Sequence, residues 1–139
     1  MKKEELIIAK NISKWLLKEY PNQIWRYDLA DLKLTIGQAV QNKELNPHRG
    51  YPDFLLALVT PTYGGLYIEM KIGRSEVYRK DGKMKNNAHI QEQDFVLRIL
   101  RARGYRAEFG LGERHIKELI IQHIEEAEDE RHNRNNKKD

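Results

Sequence analysis

A chain of 139 residues with 40% hydrophobic and 33% charged side chains has material for one hydrophobic core but not for two independent domains. It has no cysteine, which rules out disulfides and thiolate metal sites, and no apolar run near the roughly 20 residues a membrane span needs. The formal net charge of +4 is unevenly spread, crowding at Lys71, Arg74, Arg79, Lys80, Lys83 and Lys85 and again at Arg98, Arg101, Arg103 and Arg106, so the natural partner is a polyanion unless this is only a solvated basic surface.

The opening MKKEELIIAKNISKW is interrupted by Lys10 and Lys14 where a secretory signal would be continuous, and a cytoplasmic protein is expected. Residues from about Lys3 to Glu19 read as an amphipathic helix ending before Pro21. Ile8, Ala9, Ile12, Leu16 and Tyr20 share one face, with Lys10, Lys14 and Lys18 opposite and Glu4 at the edge. Glu5 falls in the middle of the apolar face. A carboxylate there needs a partner, or else it is a wet first-turn residue favoured by the helix dipole.

Gln23 to Ala30 is strand-like, with Trp25, Tyr27 and Leu29 alternating with polar neighbours. Asp31 to Arg49 mixes apolar residues at irregular spacing with Gly37 and Asn46-Pro47, and reads as a loop or short helix over the site formed by the strands that follow. Those strands are Phe54 to Val59 and Leu66 to Ile68, joined by a turn-rich segment into a hairpin. Asp53 heads the first, and Glu69-Met70-Lys71 ends the second. Alternation along a strand places Glu69 and Lys71 on one face and Met70 on the other. Antiparallel pairing would set Asp53 beside Glu69. Two carboxylates and an ammonium then converge, a set suited to a hard divalent metal and a water next to a phosphodiester.

The stretch from Ile72 to Lys85 is polar and basic, has a turn signal at Asp81-Gly82, and is expected to be mobile. A second helix starts near Asn86 or Asn87 and ends at Gly104. Its core stripe is Ile90, Val96, Leu97 and Leu100, with Gln93 at the centre. A buried amide without partners costs about 1–3 kcal/mol, so Gln93 either faces a polar site or stays within reach of water. Phe95, Ile99 and Ala102 make a second apolar stripe, which calls for a third layer or a partner subunit. Tyr105 to Phe109 reads as a last strand and Glu113 to about Ile124 as a closing helix. This gives a single domain over 1–125 and a charged, disordered tail over 126–139.

The order of elements predicts an α/β sandwich with a mixed sheet. The set Gly50-Tyr51-Pro52-Asp53, Glu69-Met70-Lys71 and a downstream Gln93 on a helix ending at Gly104 resembles the PD-(D/E)xK nuclease superfamily. Within it the chain is most similar to the VRR-NUC group, virus-type replication and repair nucleases, from about Glu5 to Phe109. Short patterns such as Pro-Asp or Glu-x-Lys recur by chance, and the ordered set carries the likeness.

The resemblance implies a restriction-endonuclease-like three-layer sandwich and a Mg²⁺- or Mn²⁺-dependent endonuclease of the phage-type, Holliday-junction resolvase-like kind, a homodimer cutting branched DNA without an organic cofactor. Asp53, Glu69 and the Met70 backbone carbonyl would hold the metal, and Glu5 would steady it directly or through water. Lys71 would orient or deprotonate the attacking water or stabilise charge at the phosphate, and Gln93 would hydrogen-bond a catalytic side chain or a metal-bound water. Arg74, Arg79, Lys80, Lys83 and Lys85 would form a phosphate-contacting loop, joined by Arg49 and His48 at the mouth of the site. Asp28 and Asp31 are not assigned to the metal. Other substrates on this fold (flaps, single strands or RNA) and a non-catalytic binding module are the alternatives. His89, His115, His123 and His132 lack zinc-site spacing and are read as structural or surface residues.

Overall fold

The computed structural model describes residues 3–28 and 34–136, with side chains through Asp129. In chain order the elements are α1 (Lys3–Glu19), β1 (Trp25–Tyr27), α2 (Ile36–Leu45), β2 (Phe54–Leu56), β3 (Leu66–Lys71), a 3₁₀ turn (Arg74–Glu76), α3 (Ala88–Ala102), β4 (Arg106–Leu111) and α4 (Glu113–Asn136). The sheet order is β1-β2-β3-β4, with the first two pairings antiparallel and β3–β4 parallel. A parallel pair needs a crossover, and α3 supplies it. None of the described helices is long and apolar enough to cross a membrane.

Strand alternation builds the three expected layers. Leu66, Ile68 and Met70 pack with Ile12 and Leu16 of α1 and Ile116, Ile120 and Ile124 of α4. Tyr67, on the other face of β3, packs with Ile90, Leu97 and Leu100 of α3 and with Ala107 and Phe109 of β4. The fold is therefore the expected α/β sandwich around a mixed sheet, and β3 is buried along its whole length.

Several boundaries differ from the sequence reading. Strand β2 stops at Leu56 because the chain turns: Thr60 Oγ1 accepts from the amides of Thr62 and Tyr63, and Val59 is 71% exposed. Parallel pairing carries β3 and β4 further, to Lys71 and Leu111. The ambiguous Asp31–Arg49 stretch contains a helix, α2, started by a capping box between Thr35 and Gln38. Leu29, Ala30, Asp31 and Leu32 lie outside the described residues. The Ile72–Lys85 stretch is anchored at its middle by the fully buried Val77 and by a bridge between Tyr78 and Met84, which contradicts a loose loop. On α3, Val96 is only half-buried, and the buried stripe is Ile90, Gln93, Leu97 and Leu100.

Where the sequence predicts a tail from residue 126, the chain is helical. Helix α4 continues to Asn136, Ala127 is buried, and Glu126 pairs with Arg106 at 2.7 Å and accepts from Thr60 Oγ1 at 3.0 Å. Charge alone points to a frayed end, but Glu126, at the start of this segment, is tied to Arg106 of β4.

One glycine sets how α3 meets the sheet. Gly50 has φ +75, and a Cβ there would stand 2.9 Å from the Glu92 carbonyl oxygen and 3.2 Å from the Gln93 nitrogen. Only a residue without a side chain fits between the approach to β2 and the backbone of α3. That close approach is what brings Gln93 down over β3.

Candidate active site

The side chains meet because two strand ends and one helix turn converge. One step beyond the last ladder pair of β2 and β3, Phe54↔Ile68, Asp53 stands opposite Glu69. Asp53 Oδ1 accepts from the Met70 amide at 3.0 Å, which ties the start of β2 to the end of β3. Glu69 and Lys71 emerge together on the α3 face, with Lys71 Nζ 3.8 Å from Glu69 Oε1. Gln93 reaches down from α3 and donates Nε2–H to the same oxygen at 2.8 Å. Met70 points the other way, into the core against α1 and α4.

These groups line one cleft of about 690 Å³, together with Glu5 from α1. Glu69, Lys71 and Gln93 are buried, each with 6% or less of its surface exposed, while Asp53 keeps some surface in the cleft. Burial pushes the Glu69 carboxyl far above the usual carboxylate range; the charge of Asp53 adds to this and Lys71 opposes it. Asp53 is raised for the same main reason, with Glu5 contributing, against the Met70 amide and Lys71. Two carboxyl groups thus share one neighbouring cation, and both hold a proton more tightly than an ordinary carboxylate does.

A divalent cation fits this donor set. Glu69 Oε2 is buried without a hydrogen-bond partner, and the available donors are hard oxygens. Among the described residues no three carboxylates or histidines lie close enough together to form a full side-chain ligand set. Asp53 and Glu69 would thus be completed by main-chain oxygen and water. Glu5 lines the cleft and raises both carboxyl pKa values from a distance, a position suited to acting through water.

Of the basic residues assigned to substrate, only Lys85 lines the cleft. Arg79 is engaged by Asp81, at 3.0 Å and 3.3 Å, and Arg74 lies over the Tyr78 ring at 4.8 Å. Arg49, Lys80 and Lys83 are exposed outside it, as is His48. No described residue of α2 lines the cleft either, so that segment does not cover the site as expected.

The cleft also holds residues that the sequence reading did not assign: Asp28, Tyr51, Glu76 and His89. The signal for His89 was available, since it precedes Gln93 by four positions and so shares its helix face. Tyr51 donates its hydroxyl proton to Tyr67 at 2.8 Å, a long-range pairing with no local sequence mark.

The sheet order, three layers and site position define a restriction-endonuclease-like fold. A solved structure described as a VRR_NUC domain protein is similar to the chain, with a TM-score of 0.64 and 17% identity over 91% of this chain and 93% of that one. At that identity the likeness is one of fold. No protein-family model matches the chain, and neither does any curated protein.

Proposed function

We propose that the chain is a VRR-NUC-type, divalent-metal-dependent endonuclease that hydrolyses DNA phosphodiester bonds and acts on branched DNA as a homodimer. The observation that carries this reading is the convergence of the Asp53 and Glu69 carboxyl groups on the one ammonium of Lys71, on this fold. A bound Mg²⁺ or Mn²⁺, held by Asp53, Glu69 and the Met70 carbonyl, would supply Lewis acidity at the phosphate and acidify a nearby water.

The remaining chemistry belongs to the chain's own side chains. Lys71 presents its ammonium where negative charge grows as phosphorus becomes pentacoordinate, and it orients the attacking water. Gln93 holds the Glu69 carboxylate in place through Oε1. The water gives up one proton to solvent as its oxygen bonds to phosphorus, the bond to the leaving sugar oxygen breaks, and that oxygen takes up a proton from solvent. Lys85, which lines the cleft, would contact the backbone of the substrate.

Branched DNA as the substrate rests on the resemblance of the motif set. Support for a dimer comes from α3, whose outer side carries Phe95, 64% exposed, next to Ile99 and Ala102. A non-catalytic binding module is disfavoured, because a site without chemistry has no use for buried charge that costs stability. The test is cleavage of four-way junction, flap, duplex, single-stranded DNA and RNA substrates with Mg²⁺, Mn²⁺ or EDTA. Metal-dependent cutting that is strongest on the junction supports the full reading, and equal cutting of plain duplex removes the branched-DNA part. Failure to cut anything removes the nuclease reading.

A further inference from the structure

Gln93 Nε2 lies 2.8 Å from Glu69 Oε1 and 3.1 Å from Nε2 of His89. The amide presents its nitrogen to both groups and donates to Glu69 Oε1. With nitrogen in that place, one amide proton goes to Glu69 and the second points at His89. Nε2 of His89 can receive it only through a lone pair, in the neutral imidazole that carries its own proton on Nδ1.

The helix turn that carries the ring is capped. The His89 amide donates to Oδ1 of Asn87, the N-cap of α3, at 2.9 Å. One turn along, Gln93 is gripped from two sides through one nitrogen. Its carbonyl oxygen is left over, buried and without a partner, as is Glu69 Oε2. Such an acceptor is satisfied only by a donor that enters the site.

We propose that His89 is a positioning residue: its neutral, Nδ1-protonated ring accepts the second amide proton of Gln93 and fixes the amide so that its first proton stays on Glu69 Oε1. The role in reaction rests on the nuclease reading above, whereas the hydrogen bond does not.

Two measurements test it. Long-range ¹⁵N–¹H correlation on histidine-labelled protein at pH 8, with His89 assigned by the peaks missing in His89→Gln, reads the tautomer directly. A proton on Nδ1, lost to a tautomer mixture in Gln93→Ala, is expected; a proton on Nε2 in the parent protein overturns the proposal. In cleavage assays, His89→Gln, which still offers an acceptor, should stay near the parent, and the donor-only His89→Lys should lose about 10-fold or more in kcat with KM unchanged. In a Gln93→Ala background His89→Lys should add nothing. Equal losses from the two His89 variants, or an undiminished His89→Lys effect without Gln93, would overturn the positioning role. A parent protein that cuts nothing removes that role together with the nuclease reading, and the tautomer still decides the hydrogen bond.

Discussion

The two ends of the β3–β4 pair both bury polar side chains, with opposite outcomes. Beside Leu66 and Arg106, the Glu126 carboxylate accepts from Thr60 at 3.0 Å and from Arg106 at 2.7 Å, while Arg106 also lies over the Tyr63 ring at 4.6 Å. Burial alone would raise the Glu126 pKa, but bonds from Thr62 and Thr60 and the Arg106 charge outweigh it, and the pKa falls. His123 meets the Leu58 carbonyl at 2.7 Å, and burial lowers its pKa, so the neutral ring is favoured. Charge cancels at this end. Beside Lys71 and Leu111, two carboxylates face one ammonium, both carboxyl pKa values rise, and Glu69 Oε2 has no donor. Each end leaves two buried polar atoms without a partner, Arg106 Nε and His123 Nδ1 at the first and Glu69 Oε2 and Gln93 Oε1 at the second, so the ends differ in charge: one carboxylate meets one guanidinium at the first, whereas two carboxyl groups share one ammonium at the second.

The contrast can be broken from either end, and the largest effect belongs to the reaction. Asp53→Ala and Lys71→Ala should each reduce cleavage about 1000-fold while the far-end Arg106→Ala leaves cleavage per folded molecule unchanged. The cost of Arg106→Ala is stability: it leaves Glu126 without its cation in a half-buried place and should lower unfolding free energy by about 2 kcal/mol, seen in urea melts.

Glu69→Gln should act with the opposite sign. A carboxyl whose folded pKa is raised binds a proton more tightly folded than unfolded, so it costs no stability below its unfolded pKa. It costs progressively more as pH climbs from there through the folded pKa. The metal-free Glu69→Gln variant should therefore be more stable than the parent by about 1–3 kcal/mol at pH 8, with the gain vanishing near pH 4. Glu126 runs the other way: its contribution is present above its unfolded pKa and is lost as acid protonates it. The smallest effect is expected at Gly50. Gly50→Ala forces φ +75 on a residue with a Cβ and presses it against the α3 backbone, which should cost about 1–2 kcal/mol and lower activity by displacing Gln93.

Much of this was legible in the sequence because it rests on periodicity. Alternation placed Glu69 and Lys71 on one face, the antiparallel hairpin brought Asp53 to Glu69, and helical spacing put Gln93 on the inner stripe of α3. What escaped depends on contacts distant in the chain. The anchoring of α4 at Glu126 comes from Arg106 and Thr60, partners 20 and 66 positions away. The basic stretch was read by its charge, although its fate is set by the burial of Val77 and by Asp81 occupying Arg79. The capping box of α2 and the i, i+4 spacing of His89 and Gln93 were readable, but neither announces its importance until the tertiary neighbours are known.

The central claim is that Asp53 and Glu69 form an unbalanced pair that takes a divalent cation. Calorimetric titration of Mn²⁺ into the parent protein and Asp53→Ala, repeated in buffers of different ionisation enthalpy, tests it most directly. The expected result is saturable binding that releases protons, since the raised carboxyl pKa values must be overcome, and that is abolished in Asp53→Ala. Binding that is absent from the parent, or that survives unchanged in the variant, would contradict it.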